Sequence, residues 1–237
     1  MKIAMLRVGI DSGSGGIHGP LFKNGTFEYI PIPDNTMKDS RAYGNIYGRY
    51  GGKLIEYFPE TRKEKMAKQS IHVDPEFETF TYGDPSSPKA GLRHLREGDL
   101  LIFYCGLEGW DFKSEPALYL LGYFKILAAG IATEFDRKAI KTLFSKNFHV
   151  KHVEIFERQM STLVLVKGTN QSRLFKKAVK LSAIGRDSAG KPLKILSPKM
   201  QKIFGDFDGK LSFQRSPTRW VDPKYHEKVY EFIKSIE

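Results

Sequence analysis

The segment 98–132 constrains the fold most strongly. Gly98-Asp99 supplies a turn before Leu100, Leu101, Ile102, Phe103 and Tyr104, an apolar run whose composition predicts a central strand. Residues 117–124 and 125–132 read as two further strands, as do 2–10, 26–33 and 161–166. Asn24-Gly25, followed by Phe27 and Tyr29, is a hairpin signal. Between these runs the period changes. In 134–144, Phe135, Ala139 and Leu143 repeat at four while Asp136, Arg137, Lys138 and Lys141 can face water, which predicts a helix. Further helices are expected over 59–68, 89–95, 171–177, 197–204 and 224–236, the last with Tyr225, Val229, Phe232 and Ile236 on one side. The expectation is an α+β fold: a mixed, strongly curved β-sheet or barrel with peripheral helices.

The chain has 237 residues, 41% of them hydrophobic, enough for a substantial core. Its 38 basic and 27 acidic residues give a formal charge of +11, a surplus that would concentrate anions if unevenly placed. Nucleic acid or a nucleotide is therefore the expected partner, with simple solubility as the alternative. Cys105 is the only cysteine, which excludes an intrachain disulfide and a Cys-rich zinc site and makes a cytoplasmic location the simpler expectation. No stretch approaches the ~18 apolar residues of a membrane span. The start MKIAMLRVGIDSG also lacks the apolar core of a signal peptide, so neither a membrane nor export is expected.

Cofactor signatures fail on spacing, and no cofactor is assigned. In GIDSGSGGIHG, Gly13, Gly15 and Gly16 match only part of a G-x-G-x-x-G pattern, and Gly19-Pro20 and an expected hairpin follow where a phosphate-binding helix should begin. No Gly-Lys-Ser/Thr follows either, so a Walker A loop is ruled out.

Two loops carry most of the candidate chemistry. The first, DSGSGGIHGP at 11–20, follows an apolar strand that should deliver it to a fixed place, and Gly15 and Gly16 would allow close backbone approach to a ligand. Here Arg7 could clamp a phosphate, Asp11 could accept from a base, and His18 could move a proton near neutrality. Equally, Asp11 could cap the glycine turn with Arg7 paired to it. The second loop, 71–88, contains HVDPEFETFTYGDP. In an extended segment His72, Asp74, Glu76 and Glu78 would point one way, suited to an oxygen-rich metal site, acid/base chemistry or a pocket wall, although Pro75 interrupts regular pairing. Tyr82 could stack on a base, and Asp84 could cap its turn or line a pocket. As an enzyme, the chain would use His18 with Asp11 or Glu76 in transferase or hydrolase chemistry.

Elsewhere Tyr104 and Trp110 could stack on a flipped or modified base, while Cys105 reads as a small buried hydrophobe. The segment 34–52 reads as an ordered loop or lid, with Tyr43, Tyr47 and Tyr50 interleaved with Arg41 and Arg49 as a stacking-and-phosphate surface. Lys146, Lys151, Arg158, Lys167, Arg173, Lys176, Lys177 and Lys180, extended by Arg215, Arg219 and Trp220, offer a footing for phosphates or a solvated face. NFHVKH lacks the spacing of a helical zinc motif, and no metal is assigned.

Three blocks, LRVGIDSGSGGIHGPLF with FEYIPIPD, HVDPEFETFTYGD and LREGDLLIFYCGL, together resemble the third family of nucleotide modification associated domains. LLGYFKIL, NFHVKH and SPTRW extend the resemblance nearly end to end. GDLLIFY with LLGYFKILAAG is also similar to the wider PUA-like group, including ASCH and EVE domains. These resemblances imply a single domain over 1–237, a PUA-like β-barrel with long pocket-forming loops, and recognition or production of modified bases beside protein partners of a modification system. The remaining alternative is a structural or protein-interaction module.

Overall fold

The computed structural model describes residues 1–36, 40–213 and 218–236. Its strands are β1 (Ile3–Arg7), β2 (Gly19–Leu21), β3 (Ile32–Pro33), β4 (Ile71–His72), β5 (Thr81–Asp84), β6 (Leu100–Gly109), β7 (Ala117–Ile131), β8 (Val164–Gly168), β9 (Arg173–Lys180), β10 (Ser182–Arg186), β11 (Pro192–Leu196) and β12 (Arg219–Trp220). The helices are α1 (Glu60–Ala67), α2 (Arg137–Leu143), α3 (Phe148–Lys151), α4 (Val153–Gln159), α5 (Pro198–Phe204) and α6 (His226–Ser235). The architecture is mixed α+β. No helix among the described residues is long and apolar enough to cross a membrane.

Eight strands form one sheet, in the order β12-β1-β6-β7-β8-β5, with β2 also on β6 and β9 also on β7. β1 and β2 run parallel to β6, and the other neighbours are antiparallel. The apolar run at 100–104 is the central strand β6, buried on both faces. β1 pairs with its first half and β2 with its last residues, so the glycine loop leaves the sheet between two strands on one edge of β6. A register shift at Phe103/Tyr104 interrupts the β6–β7 ladder where β1 ends.

Four expectations change. The stretches 117–124 and 125–132 are one strand, β7, with register shifts that let β9 pair with one part and β8 with the other. Residues 171–177 enter strand β9 and are not a helix, because the edge of β7 at Tyr119–Tyr123 supplies backbone partners that a helix would leave unmet. Between 26 and 33 only β3 is a regular strand. The Asn24-Gly25 turn still forms, with the Phe22 N–H donating to the Thr26 carbonyl at 2.9 Å. The strand path ends at β12 and β5, so the described sheet is open and no barrel closes.

Three apolar clusters sit on this frame. The main one lies on the sheet. A second, made by Ile10, Ile30, Tyr43, Leu54, Phe58, Met66 and Ile71, supports the 34–70 segment, and a third, around Phe144, Leu163 and Leu165, supports the α2–α4 region. Asp136 caps α2 through the Ala139 N–H at 2.7 Å, and buried Asn147 caps α3 through the His149 N–H at 3.1 Å.

Candidate functional site

The two long loops meet. A cleft of about 840 Å³ is lined by Arg7 from the end of β1, Asp11 and Ser14 from the glycine loop, Asp34 to Thr36, His72 and Asp74, Tyr82 and Asp84, Lys89, and Phe148, His149 and Gln159. Segments far apart in the sequence thus form its walls. The small β3–β4 sheet sets Ile32 opposite His72, which holds the second loop across from the first.

At the floor, three side chains from distant segments converge: the ligating atoms of His72, Asp74 and His149 all lie within 4.8 Å of one another. Asp74 Oδ2 is 3.9 Å from His72 Nε2 and 3.6 Å from His149 Nε2. The His149 Nδ1–H donates to Gln159 Oε1 at 2.7 Å, which leaves Nε2 as the lone-pair nitrogen, buried and without a hydrogen-bond partner. Burial lowers the pKa of His149 and favours the neutral ring. Asp74 accepts the Gly83 N–H at 2.9 and 3.1 Å and the Asn147 amide at 3.5 Å. Burial nonetheless pushes its carboxyl well above the usual carboxylate range, and the Gly83 bond only partly opposes the shift. His72 stacks on Phe148 with ring centroids 3.9 Å apart.

Gly83 makes this convergence possible. A Cβ there would lie 2.9 Å from both Asn147 Oδ1 and His149 Cδ2. Only a residue without a side chain lets strand β5 approach α3 while its own N–H binds Asp74.

The first loop is more self-contained. Arg7 Nη2 sits 3.3 Å from Asp11 Oδ2, and Asp11 Oδ1 accepts the Gly13 N–H at 2.8 Å. Asp11 thus caps the glycine turn while also facing the cleft. Gly15, at φ +103°, packs on Ile10, and Gly16 faces Arg62, which donates to the Gly15 carbonyl at 3.2 Å. The hydrogen-bond partner of His18 is Glu108, at 3.3 Å, and neither Asp11 nor Glu76 takes that place. Burial, then Lys194, lowers the His18 pKa. The Glu76 carboxylate accepts the N–H groups of Glu78 and Thr79 in its own turn. The expected one-sided row therefore splits: His72 and Asp74 face this cleft, while the turn at Glu76–Thr81 carries Glu76 and Glu78 elsewhere.

They line a second cleft, of about 830 Å³, with Arg41, Tyr47, Arg49, Lys146, Lys151 and Arg173. Ile71, Val73 and Pro75 face it while His72 and Asp74 face the first, so one extended segment walls both clefts. α3 and its flanks divide them in the same way, with Phe148 and His149 on one side and Lys146 and Lys151 on the other. The Arg49 guanidinium lies 5.2 Å over Phe27 and 5.7 Å over Tyr50. Tyr47 is 65% exposed, but Tyr43 is buried against Phe58.

Tyr82 is at the first cleft, its hydroxyl donating to Asp84 Oδ2 at 2.9 Å. The remaining described candidates lie apart from both clefts. Tyr104 is buried against Phe213, and burial pushes the Cys105 thiol pKa upward. Trp110 is half exposed and meets the Tyr57 ring edge-on. Lys176 and Lys177 are exposed on β9. Arg219 lies over Phe213 and donates to the Ser212 carbonyl at 2.6 Å, whereas Arg215 lies outside the described residues. His149, Gln159, Phe148, Asp34 and Lys89 join the first cleft without having been indicated as site residues by the sequence. The one local signal was Asn147 two residues before His149, a helix cap that fixes the histidine's orientation.

No curated protein and no solved structure matches the chain. Residues 2–234 match a family described as nucleotide modification associated domain 3, whose name associates its members with nucleotide modification systems. That match spans the glycine loop, the His72–Asp84 segment and the His149 helix, and by it the chain belongs to the nucleotide modification associated domain 3 family.

Proposed function

We propose that the chain acts as a single domain that binds a nucleotide or nucleic acid and serves in the recognition or production of modified bases. The observation that carries this reading is the shared wall. Residues 71–75 separate a cleft suited to a base, with Tyr82, Phe148 and hydrogen-bonding Asp11 and Asp84, from a cleft whose cations suit a phosphate backbone. A strand resting on the basic side would extend one base across the wall into the first cleft, where stacking and edge contacts select it. The PUA-like part of the reading is supported by GDLLIFY and LLGYFKIL forming the adjacent antiparallel strands β6 and β7. Lys176, Lys177 and Arg219 would add outlying phosphate contacts.

The test is retention of nucleotides and short DNA and RNA oligomers by the purified protein at two salt concentrations, with bound species identified by mass. Selective retention is expected, and Lys146→Gln with Lys151→Gln should lower the salt slope by roughly 0.7 for each single-strand phosphate that is no longer neutralised. No retention at either salt concentration by the wild type would reject the reading.

A further inference from the structure

We propose that His72, Asp74 and His149 form a binding site for one divalent first-row transition ion at the floor of the first cleft. The fold supplies His149 in its ligating form. His149 is 4% exposed, and its Nδ1–H is held by Gln159, so Nε2 carries the lone pair, 3.6 Å from Asp74 Oδ2 and without a hydrogen-bond partner. That is the arrangement by which an outer-shell hydrogen bond fixes the tautomer of a metal-binding imidazole. Asp74 is 8% exposed, and a bound cation would stabilise the ionised carboxylate at that burial.

The three ligating atoms are close enough to converge on one ion after side-chain rotation. Ligands about 2.0–2.1 Å from a tetrahedral ion lie roughly 3.3 Å from one another. The His149–Asp74 and His72–Asp74 separations are 3.6 and 3.9 Å, roughly 0.3 and 0.6 Å above that value, and all three ligating atoms lie within 4.8 Å of one another, so the side chains would close on the ion as it binds. Two imidazoles select a transition ion over Mg²⁺ or Ca²⁺, which prefer oxygen donors. Three protein ligands leave positions open, and the cleft lies beside them, so the pattern is that of a reactive centre and not a closed structural site. The site stands independently of the nucleotide reading, because metal binding is measured without a nucleotide.

The experiment is titration of the metal-stripped full chain with Co²⁺, followed by visible absorption and metal analysis. One ion per chain is expected, undisturbed by excess Mg²⁺. His149→Gln and Asp74→Asn should each weaken binding by more than about 100-fold, Gln159→Leu by about 10–100-fold, and the surface variant His94→Gln should leave binding unchanged. Fold retention is checked by circular dichroism. X-ray absorption of the Zn²⁺-loaded wild type, which requires no variant, should show imidazole ligation. Absence of saturable binding by the wild type, a metal shell without imidazole, or equal binding by folded His149→Gln and Asp74→Asn proteins would overturn the proposal.

Discussion

The two clefts are nearly equal in size, about 840 and 830 Å³, and share the walls 71–75 and 146–151, yet their charge is opposite. The first sets Asp11, Asp34, Asp74 and Asp84 against Arg7 and Lys89. The second sets Arg41, Arg49, Lys146, Lys151 and Arg173 against Glu28, Glu76 and Glu78. An extended segment presents alternate side chains to opposite sides, so a single stretch of chain can line two environments. The local net charge follows from which register faces which cleft, and the overall +11 conceals the difference.

The harshest way to break the comparison is to push the wall from within. Gly83→Val would place a branched side chain where Asn147 and His149 already stand, 2.9 Å from a Cβ. A destabilisation of about 1–3 kcal/mol in denaturant unfolding is expected, with metal binding abolished and oligonucleotide retention in the basic cleft largely kept. Equal loss of both ligands would mean that the clefts are one cooperative unit.

A milder change sharpens the contrast by removing charge without volume. Asp74 has its carboxyl pKa raised by burial, so its contribution to stability is present below the ordinary value of 3.8 and is lost as pH rises through its folded value. That contribution is diminished at neutral pH, so the buried carboxyl weighs against the metal-free fold there. Asp74→Asn should raise the metal-free Tm near pH 7, by about 2–4 °C for each kcal/mol recovered, and the gain should shrink on acidification. His149 works in the other direction: its contribution is present above the ordinary value of 6.5 and is lost as pH falls through its lowered folded value. Melting curves from pH 4 to 8 that coincide for wild type and Asp74→Asn would show that the floor is already compensated without a metal.

The smallest effect is expected outside both clefts. Lys176 and Lys177 are exposed on β9, and consecutive strand residues point to opposite faces. Changing both to Gln should weaken oligonucleotide binding modestly and lower the salt slope by no more than roughly 0.7 per residue. An unchanged slope would remove β9 from the phosphate surface.

By itself the sequence determined the central strand, the Asn24-Gly25 turn, the helices near 60, 137, 198 and 226, and family membership, because these rest on local period, turn chemistry and motifs spread along the whole chain. It also indicated Arg7, Asp11, His72, Asp74, Tyr82 and Asp84 as pocket residues, since they sit in loops that follow or precede strands and have side chains suited to ligands. The tertiary structure decided the rest. Residues 173–180 are a strand because β7 offers an edge for it to pair with, a long-range fact with no local period. Glu76 turned inward because its own turn supplies N–H donors. His149 joined His72 and Asp74 because Gly83 lets α3 close on β5, and contacts between residues far apart in sequence arise from packing, which no window along the chain contains.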